Sequence, residues 1–137
     1  MAEARALVPV RIILFGLSGN STILVKERGV LRLPETWLKE GETICSAARR
    51  LATQIAGNER LVKVVAVVWF AEVKSENDYH LVFAVEAFID SDVIQEHDNI
   101  LLLKTGDAAK LVDDPVHRQF LTTIVFFKPR PLLVCEF

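Results

Sequence analysis

The stretch LPETWLKEGETICSAARRLATQIAG, residues 33–57, contains a well-marked helix pattern behind an acidic loop. Residues 43–56 predict one amphipathic helix, with Thr43 as its N-terminal cap and Gly57 as its C-terminal stop. The apolar residues recur at the three- and four-residue spacing of one helix face. They are Ile44, Ala47, Ala48, Leu51, Ala52, Ile55 and Ala56. The loop before the helix is acidic, whereas the helix has two arginines and no carboxylate.

The composition indicates a single domain over residues 1–137, long enough to bury a core of its own. Hydrophobic residues make up 51%, but their longest runs, such as residues 64–71, are far too short to cross a bilayer. The N-terminal residues lack the basic and apolar regions of a signal peptide. We therefore expect a cytoplasmic protein with no membrane partner. A net charge of −2 gives no general attraction to nucleic acid.

The two cysteines, Cys45 and Cys135, show no spacing typical of a metal site. We predict that both are free thiols in a reducing compartment. A disulfide is the alternative, and the sequence does not give the geometry that it needs.

Apolar, β-branched runs alternate with turn residues along the rest of the chain. They predict strands over residues 8–17, 22–26, 30–33, 61–73, 79–89 and 100–104. Residues 105–107 predict a turn, and Asp113, Asp114 and Pro115 predict the start of a second helix that ends near Phe127. This order predicts an α/β fold with a mixed β-sheet flanked by helices.

Residues 33–57 resemble the Nudix box of the Nudix hydrolases, G-x5-E-x7-R-E-U-x-E-E-x-G-U, where U is a bulky aliphatic residue. Glu42 matches the first glutamate, Arg50 the arginine and Gly57 the late glycine. Gly41 matches the end of the loop, and these four residues form the motif scaffold. Together with the element order, the resemblance implies a Nudix-type α/β/α sandwich over nearly the whole chain.

The box is degenerate at the positions where the family binds metal. Leu51 replaces the glutamate after the arginine, and Gln54 and Ile55 replace the two adjacent glutamates. Thr36 stands at the first glycine and Asn58 at the final aliphatic position. Nudix hydrolases cleave nucleoside diphosphates linked to another moiety, and they use carboxylates to hold the Mg²⁺ that activates water. Leucine and isoleucine cannot ligate a metal ion.

The preferred hypothesis is a Nudix-fold protein that lacks Mg²⁺-dependent hydrolysis, binds no cofactor and acts as a binding or interaction module. The alternative is an active hydrolase of nucleotide-linked diphosphates with Mg²⁺ on relocated carboxylates. The candidates are Glu35, Glu40, Glu42 and Glu86. Glu42 is the best single catalytic candidate, and Glu42 and Glu40 are the metal ligands under this alternative. In the family, however, the glutamate at the Glu42 position mainly supports the loop.

Several side chains are candidates for contacting a ligand. They are Trp37, Lys39, Arg49, Leu51, Gln54, Ile55 and Glu86. The tryptophan can stack on a base or pack in the cleft, and the cations can contact phosphate or an acidic partner. Arg50 has Glu42 as a candidate salt-bridge partner. An apolar cleft on the helix can accept a peptide or this chain's own tail, residues 131–137.

The connection between residues 91 and 99 contains Glu96, His97 and Asp98, at a place where some family members carry a catalytic base. A plain surface loop is the simpler interpretation.

The partner implied by these residues is a nucleotide or a protein. RNA binding is a third hypothesis, but no basic stripe with interleaved aromatic residues supports it, so nucleic acid is not expected. A homodimer is a further expectation, because the apolar tail and the long hairpin can supply a surface.

Overall fold

A computed structural model of the chain describes residues 7–90 and 99–135. Within these ranges the chain forms eight β-strands, three α-helices and one 3-10 turn, Glu59–Leu61. The strands are β1 (Val10–Ser18), β2 (Ser21–Glu27), β3 (Val30–Arg32), β4 (Glu35–Trp37), β5 (Val62–Lys74), β6 (Tyr79–Ile89), β7 (Ile100–Leu103) and β8 (Leu133–Val134). The helices are α1 (Ile44–Ala56), α2 (Thr105–Leu111) and α3 (Pro115–Phe126). None of these helices is long and apolar enough to span a membrane.

One mixed sheet contains all of these strands, with the main order β3-β2-β1-β6-β5-β8. Strands β1 and β6 run parallel at its centre, from Val10 opposite Leu81 to Leu17 opposite Phe88. The remaining pairs are antiparallel, including the long β5–β6 hairpin. Strand β4 pairs with β1, and β7 pairs with β2. A parallel pair needs a crossover connection, and α1 lies in the connection between β1 and β6.

The sheet separates two hydrophobic cores, because successive side chains of a strand point to opposite faces. Ile12 and Leu14 of β1 lie in the core that includes α1, which we call the α1-side core. Ile13 and Phe15 of the same strand lie in the core that includes α2 and α3, the α3-side core. A helical layer therefore covers each face, and the predicted α/β/α sandwich is confirmed.

The structure differs from the sequence prediction at three short elements. Helix α2 occupies residues 105–111, where the sequence predicts a turn that begins at residue 105. Its N-cap, Lys104, makes no side-chain cap hydrogen bond, so the usual start signal is missing. Strands β4 and β8 are short, and each exists through pairing with a long strand distant in sequence.

Candidate functional site

The loop before α1 is held by a two-point ion pair. Nε and Nη2 of Arg50 donate to the two carboxylate oxygens of Glu42 at 2.9 and 3.0 Å. Nη2 also donates to Oγ1 of Thr36 at 3.2 Å, and the backbone N–H of Lys39 donates to Glu42 at 2.9 Å. The hydrogen bonds from Arg50 and from the Lys39 N–H lower the pKa of Glu42 to about 2. Glu42 is therefore an ionised acceptor with both oxygens occupied.

The ends of α1 are capped by local hydrogen bonds and glycines. Oγ1 of Thr43 accepts from the N–H of Ser46 at 3.0 Å, and Oγ of Ser46 accepts from the N–H of Thr43 at 2.9 Å. This reciprocal pair satisfies two N–H groups that have no partner within the helix. Gly41 and Gly57 have φ values of 82° and 81°, a left-handed conformation that costs glycine little. The motif scaffold thus fixes the direction in which α1 leaves the loop.

At the positions where a Nudix box has its metal-binding glutamates, this chain has one exposed amide, one buried leucine and one partly buried isoleucine. Leu51 is 9% exposed and belongs to the α1-side core, and Ile55 packs against that core. Gln54 is exposed. Mg²⁺ requires oxygen ligands in a near-octahedral arrangement, and two hydrocarbon side chains supply none. This face of α1 does not fit the metal that the fold family uses.

The other candidate carboxylates do not gather beside α1. Glu35 and Glu86 both lie opposite β1 residues of the α3-side core, so they project from the other face of the sheet. Glu40 is exposed in the loop. Among the four carboxylate candidates, only Glu40 and Glu42 remain in the loop before α1. Residues 96–98 lie outside the described residues.

The ligand-binding candidates are spread over both faces of the sheet. Trp37 is 53% exposed, and its ring meets the edge of the His80 ring at a centroid distance of 5.3 Å. Trp37 lies opposite Arg11 in the β1–β4 pair, on the α3 side. Lys39 is exposed in the loop, and Arg49 is half-buried on α1. The tryptophan therefore lies on the opposite face of the sheet from the apolar residues of α1.

A cavity of about 570 Å³ lies beside the loop, between residues 7–10 and residues 38–42. Its charged wall residues are Lys39, Glu40 and Glu42, and the last of these is already paired with Arg50. The rest of the wall is mainly apolar. This cavity is the concave surface that the motif scaffold shapes.

A buried polar network on the α3 side is not predicted by the sequence. Nε of Arg11 donates to Oε2 of Glu35 at 2.6 Å, and Nη2 donates to Asp114 at 2.5 Å. Nε2 of His117 lies 2.9 Å from Oε2 of Glu35 and 3.1 Å from Nη2 of Arg11. Nδ1 of His117 accepts from the N–H of Leu33 at 3.1 Å. We call these four side chains the Arg11 network.

The Arg11 network contains the ligand types of a metal site, because Glu35, Asp114 and His117 bring their ligand atoms within 4.8 Å of one another. Its hydrogen bonds argue against a metal ion there. The Leu33 N–H requires Nδ1 to accept, so Nε2 carries the hydrogen and donates to Glu35. The Arg11 guanidinium already supplies the positive charge between the two carboxylates. The cluster is therefore an ion-pair network that joins β1, β4 and α3.

The charge state of Glu35 follows from this arrangement. Burial raises the pKa of Glu35, but the hydrogen bonds from His117 and Arg11 outweigh burial, and the pKa lies below its ordinary value. The sequence signal for the network is Arg11 itself, a charged residue inside an apolar strand. A buried arginine must be paired, but only the fold shows which carboxylates pair with it.

Cys45 and Cys135 form a disulfide, so the prediction of two free thiols is wrong. Their Cα atoms are 5.6 Å apart, although 90 positions separate them in the sequence. Cys45 lies in the first turn of α1, and the N–H of Cys135 donates to the carbonyl of Val65 at 2.9 Å. The tail is therefore fixed at the edge of the sheet, where Cys135 packs against the α1-side core.

Solved structures of Nudix hydrolases share this fold. A NUDIX hydrolase from Nitrosomonas europaea superposes with a TM-score of 0.68 and 17% identity, covering 92% of this chain and 94% of that one. The Ap4A hydrolase of C. elegans gives a TM-score of 0.66 and 17% identity, covering 88% and 98%. A mutT/nudix family protein from Listeria innocua gives a TM-score of 0.68 and 15% identity, covering 89% and 94%.

No protein-family model and no curated protein sequence matches the chain. Sequence identities of 15 to 17% support a shared fold but not a shared activity. The Nudix fold expected from residues 33–57 is confirmed, and the activity has to be argued from the residues of the site.

Proposed function

We propose that this Nudix-fold protein does not carry out Mg²⁺-dependent hydrolysis of nucleoside diphosphate derivatives and acts instead as a binding module. The observation that carries the proposal is the position of Leu51 and Ile55. Both side chains belong to, or pack against, the α1-side core at places where a Nudix enzyme has metal ligands. An ionised carboxylate or a hydrated metal ion at the buried Leu51 position would lose its water without a compensating partner.

The remaining acids of the loop support the same conclusion. Both oxygens of Glu42 accept hydrogen bonds from Arg50 or from the Lys39 N–H. Apart from Glu42, Glu40 would give a metal ion one exposed carboxylate, whereas a Nudix box supplies further carboxylates from its helix. Helix α1 carries no carboxylate, so the described loop–helix unit lacks the helix ligands of a Nudix metal site.

The cavity beside the loop is the proposed binding surface. Its wall is mainly apolar, and the exposed Glu40 balances the exposed Lys39. This charge pattern favours an apolar segment of a partner protein over a pyrophosphate, which requires a net positive site. A nucleotide bound without turnover is the competing ligand.

The test combines metal binding with turnover. Mg²⁺ and Mn²⁺ are titrated into the ¹⁵N-labelled protein, and phosphate release is measured on a panel of nucleoside diphosphate derivatives. We expect no saturable shift of the residue 38–57 resonances at millimolar Mg²⁺ and no turnover. The matched pair of variants is Glu42→Gln and Glu40→Gln.

An active hydrolase with Glu40 and Glu42 as metal ligands gives the opposite result. Saturable Mg²⁺ binding, together with phosphate release that disappears in Glu42→Gln, would overturn the proposal. Resonance shifts of cavity residues on addition of a nucleotide, without phosphate release, would still support the loss of hydrolysis. They would identify the ligand as a nucleotide rather than a protein.

A homodimer and a cytoplasmic location both stay predictions. Leu133 and Val134 of the edge strand β8 and the preceding Leu132 are about half exposed, and Phe70 of the hairpin is 61% exposed. Light scattering across a concentration series tests whether these residues join two copies. The cytoplasmic prediction relied partly on free thiols, and the Cys45–Cys135 disulfide removes that support.

A further inference from the structure

A second pocket, of about 400 Å³, lies on the α3 side of the sheet. Strands β1 and β6 form its floor, and α3 and the segment after it form its wall. The apolar side chains that line it are Phe15, Leu17, Phe88, Ile124, Val125 and Pro129. The pocket is distinct from the Arg11 network. On β6, Val82 is opposite Arg11, and Glu86 lies four residues further along the strand, which corresponds to about 13 Å.

Glu86 is the charged residue of this pocket. Its side chain is half-buried on β6, next to Phe15 of β1 and two positions before Phe88 on the same face. Among residues 7–90 and 99–135 no hydrogen bond or ion pair reaches its carboxylate, and burial raises the pKa of Glu86. Burial of a carboxylate costs free energy unless a partner compensates its charge. Within these ranges, the pocket therefore presents a carboxylate without a partner, beside Phe15 and Phe88.

We propose that the Glu86 pocket binds a small organic ammonium ion, in which a positively charged nitrogen is attached to an apolar body. The nitrogen donates hydrogen bonds to the Glu86 carboxylate and gains from the neighbouring aromatic rings. The body of the ligand packs against Phe88 of the floor and Ile124 of the wall. Phe88 is 44% exposed, so the site is open to a ligand from solution. The pocket is separate from the loop before α1, so this proposal and the proposed function can fail independently.

The test uses 2-phenylethylammonium chloride as the probe and 2-phenylethanol as its uncharged analogue. Binding is followed by ¹⁵N NMR and calorimetry on the full chain with its disulfide intact. We expect saturable shifts at residues 15–17, 86–88 and 124–125 with the ammonium and at least about tenfold weaker binding of the alcohol. Glu86→Gln keeps the shape and removes the charge, so it should weaken ammonium binding by about tenfold.

Two further variants separate charge recognition from general effects. Phe88→Leu should weaken the ammonium roughly two- to fivefold, because it removes one ring. Glu76→Gln, in the exposed turn of the β5–β6 hairpin, should leave the affinity unchanged. Thermal melting checks that each variant is folded.

Three outcomes would overturn the proposal. The first is equal binding of the ammonium and the alcohol, and the second is undiminished binding by folded Glu86→Gln. The third is no binding by the wild-type chain.

Discussion

Arg50 and Glu42 are eight residues apart, and two hydrogen bonds of 2.9 and 3.0 Å join the guanidinium to both oxygens of the carboxylate. This two-point geometry positions the acidic loop against α1. It also means that a metal ion at Glu42 would have to compete with a cation already in place. The pair therefore fixes the position of the loop relative to α1, and under the proposed function it takes the place of a metal contact at Glu42.

The first prediction is that Glu42→Gln lowers stability at neutral pH but has little effect in acid. The pKa of Glu42 lies at about 2 in the folded chain, against an ordinary value of 4.5. A lowered folded-state pKa stabilises the protein above pH 4.5, and this stability is lost as the pH falls towards about 2. Urea unfolding from pH 7 to pH 2 should show the wild-type and Glu42→Gln curves converging. Glu40→Gln should follow the wild type throughout, and a constant gap for Glu42→Gln would contradict the linkage.

The second prediction concerns the lost carboxylate of α1. Leu51→Glu should destabilise the fold by about 3 kcal/mol, because it places a charge without a partner in the α1-side core. Gln54→Glu lies at an exposed position of the same helix and should change stability by less than about 0.5 kcal/mol. Both values come from urea denaturation at pH 7. Wild-type stability in Leu51→Glu would show that this side of α1 is open to water and would weaken the proposed loss of metal binding.

The third prediction is that the Arg11 network stabilises the fold only as a complete unit. Arg11→Met leaves Glu35 and Asp114 without their shared cation and should cost about 3 kcal/mol at pH 7. The loss should shrink in acid, because the pKa values of Glu35 and Asp114 are both below their ordinary values in the intact network.

The control for this prediction is Arg32→Met. Arg32 also pairs with Glu35, but at 3.5 Å and with its side chain 32% exposed. Such a pair is worth less than about 1 kcal/mol. Equal losses for the two variants would mean that burial of Arg11 is not the source of its contribution.

The sequence predicts those parts of the fold that depend on local chemistry. The apolar stripe and caps of α1 are set within residues 43–57, and the long strands β5 and β6 are set by their own β-branched runs. Contacts between residues that are distant in the sequence cannot be predicted in this way. The pairing of Arg11 with Asp114 spans 103 positions, and it depends on the crossover that brings α3 beside β1.

The candidate site also combines features that the sequence predicts with features that depend on the fold. Residues 33–57 indicate that Leu51 and Ile55 replace metal ligands, and the structure adds that both are packed against a core. The sequence also names Glu35, Glu40, Glu42 and Glu86 as candidate carboxylates. Strand register separates Glu35 and Glu86 from the two loop acids, because the face of a strand side chain depends on its pairing with β1.

The fourth prediction follows from the Cys45–Cys135 disulfide, which closes a loop of 90 positions. A cross-link of this span should stabilise the fold by about 4 kcal/mol through the entropy of the unfolded chain. Cys135→Ser should therefore lose about this amount, and Cys45→Ser should lose the same, since either change removes the same bond. The double variant should be no less stable than either single variant.

Chemical modification checks the bond itself. Iodoacetamide should leave the mass of the unfolded, unreduced chain unchanged and should add two alkyl groups after reduction. Without the disulfide, backbone pairing with β5 still holds the tail, including hydrogen bonds from the N–H of Leu132 to the Val67 carbonyl and from the N–H of residue 135 to the Val65 carbonyl. Because the cross-link is lost, amide exchange at residues 132–135 should speed up in Cys135→Ser. Exchange in α3, which the disulfide does not touch, serves as the internal control. Two alkylations without reduction would show that both thiols are free. That result would support the reducing compartment predicted from the sequence.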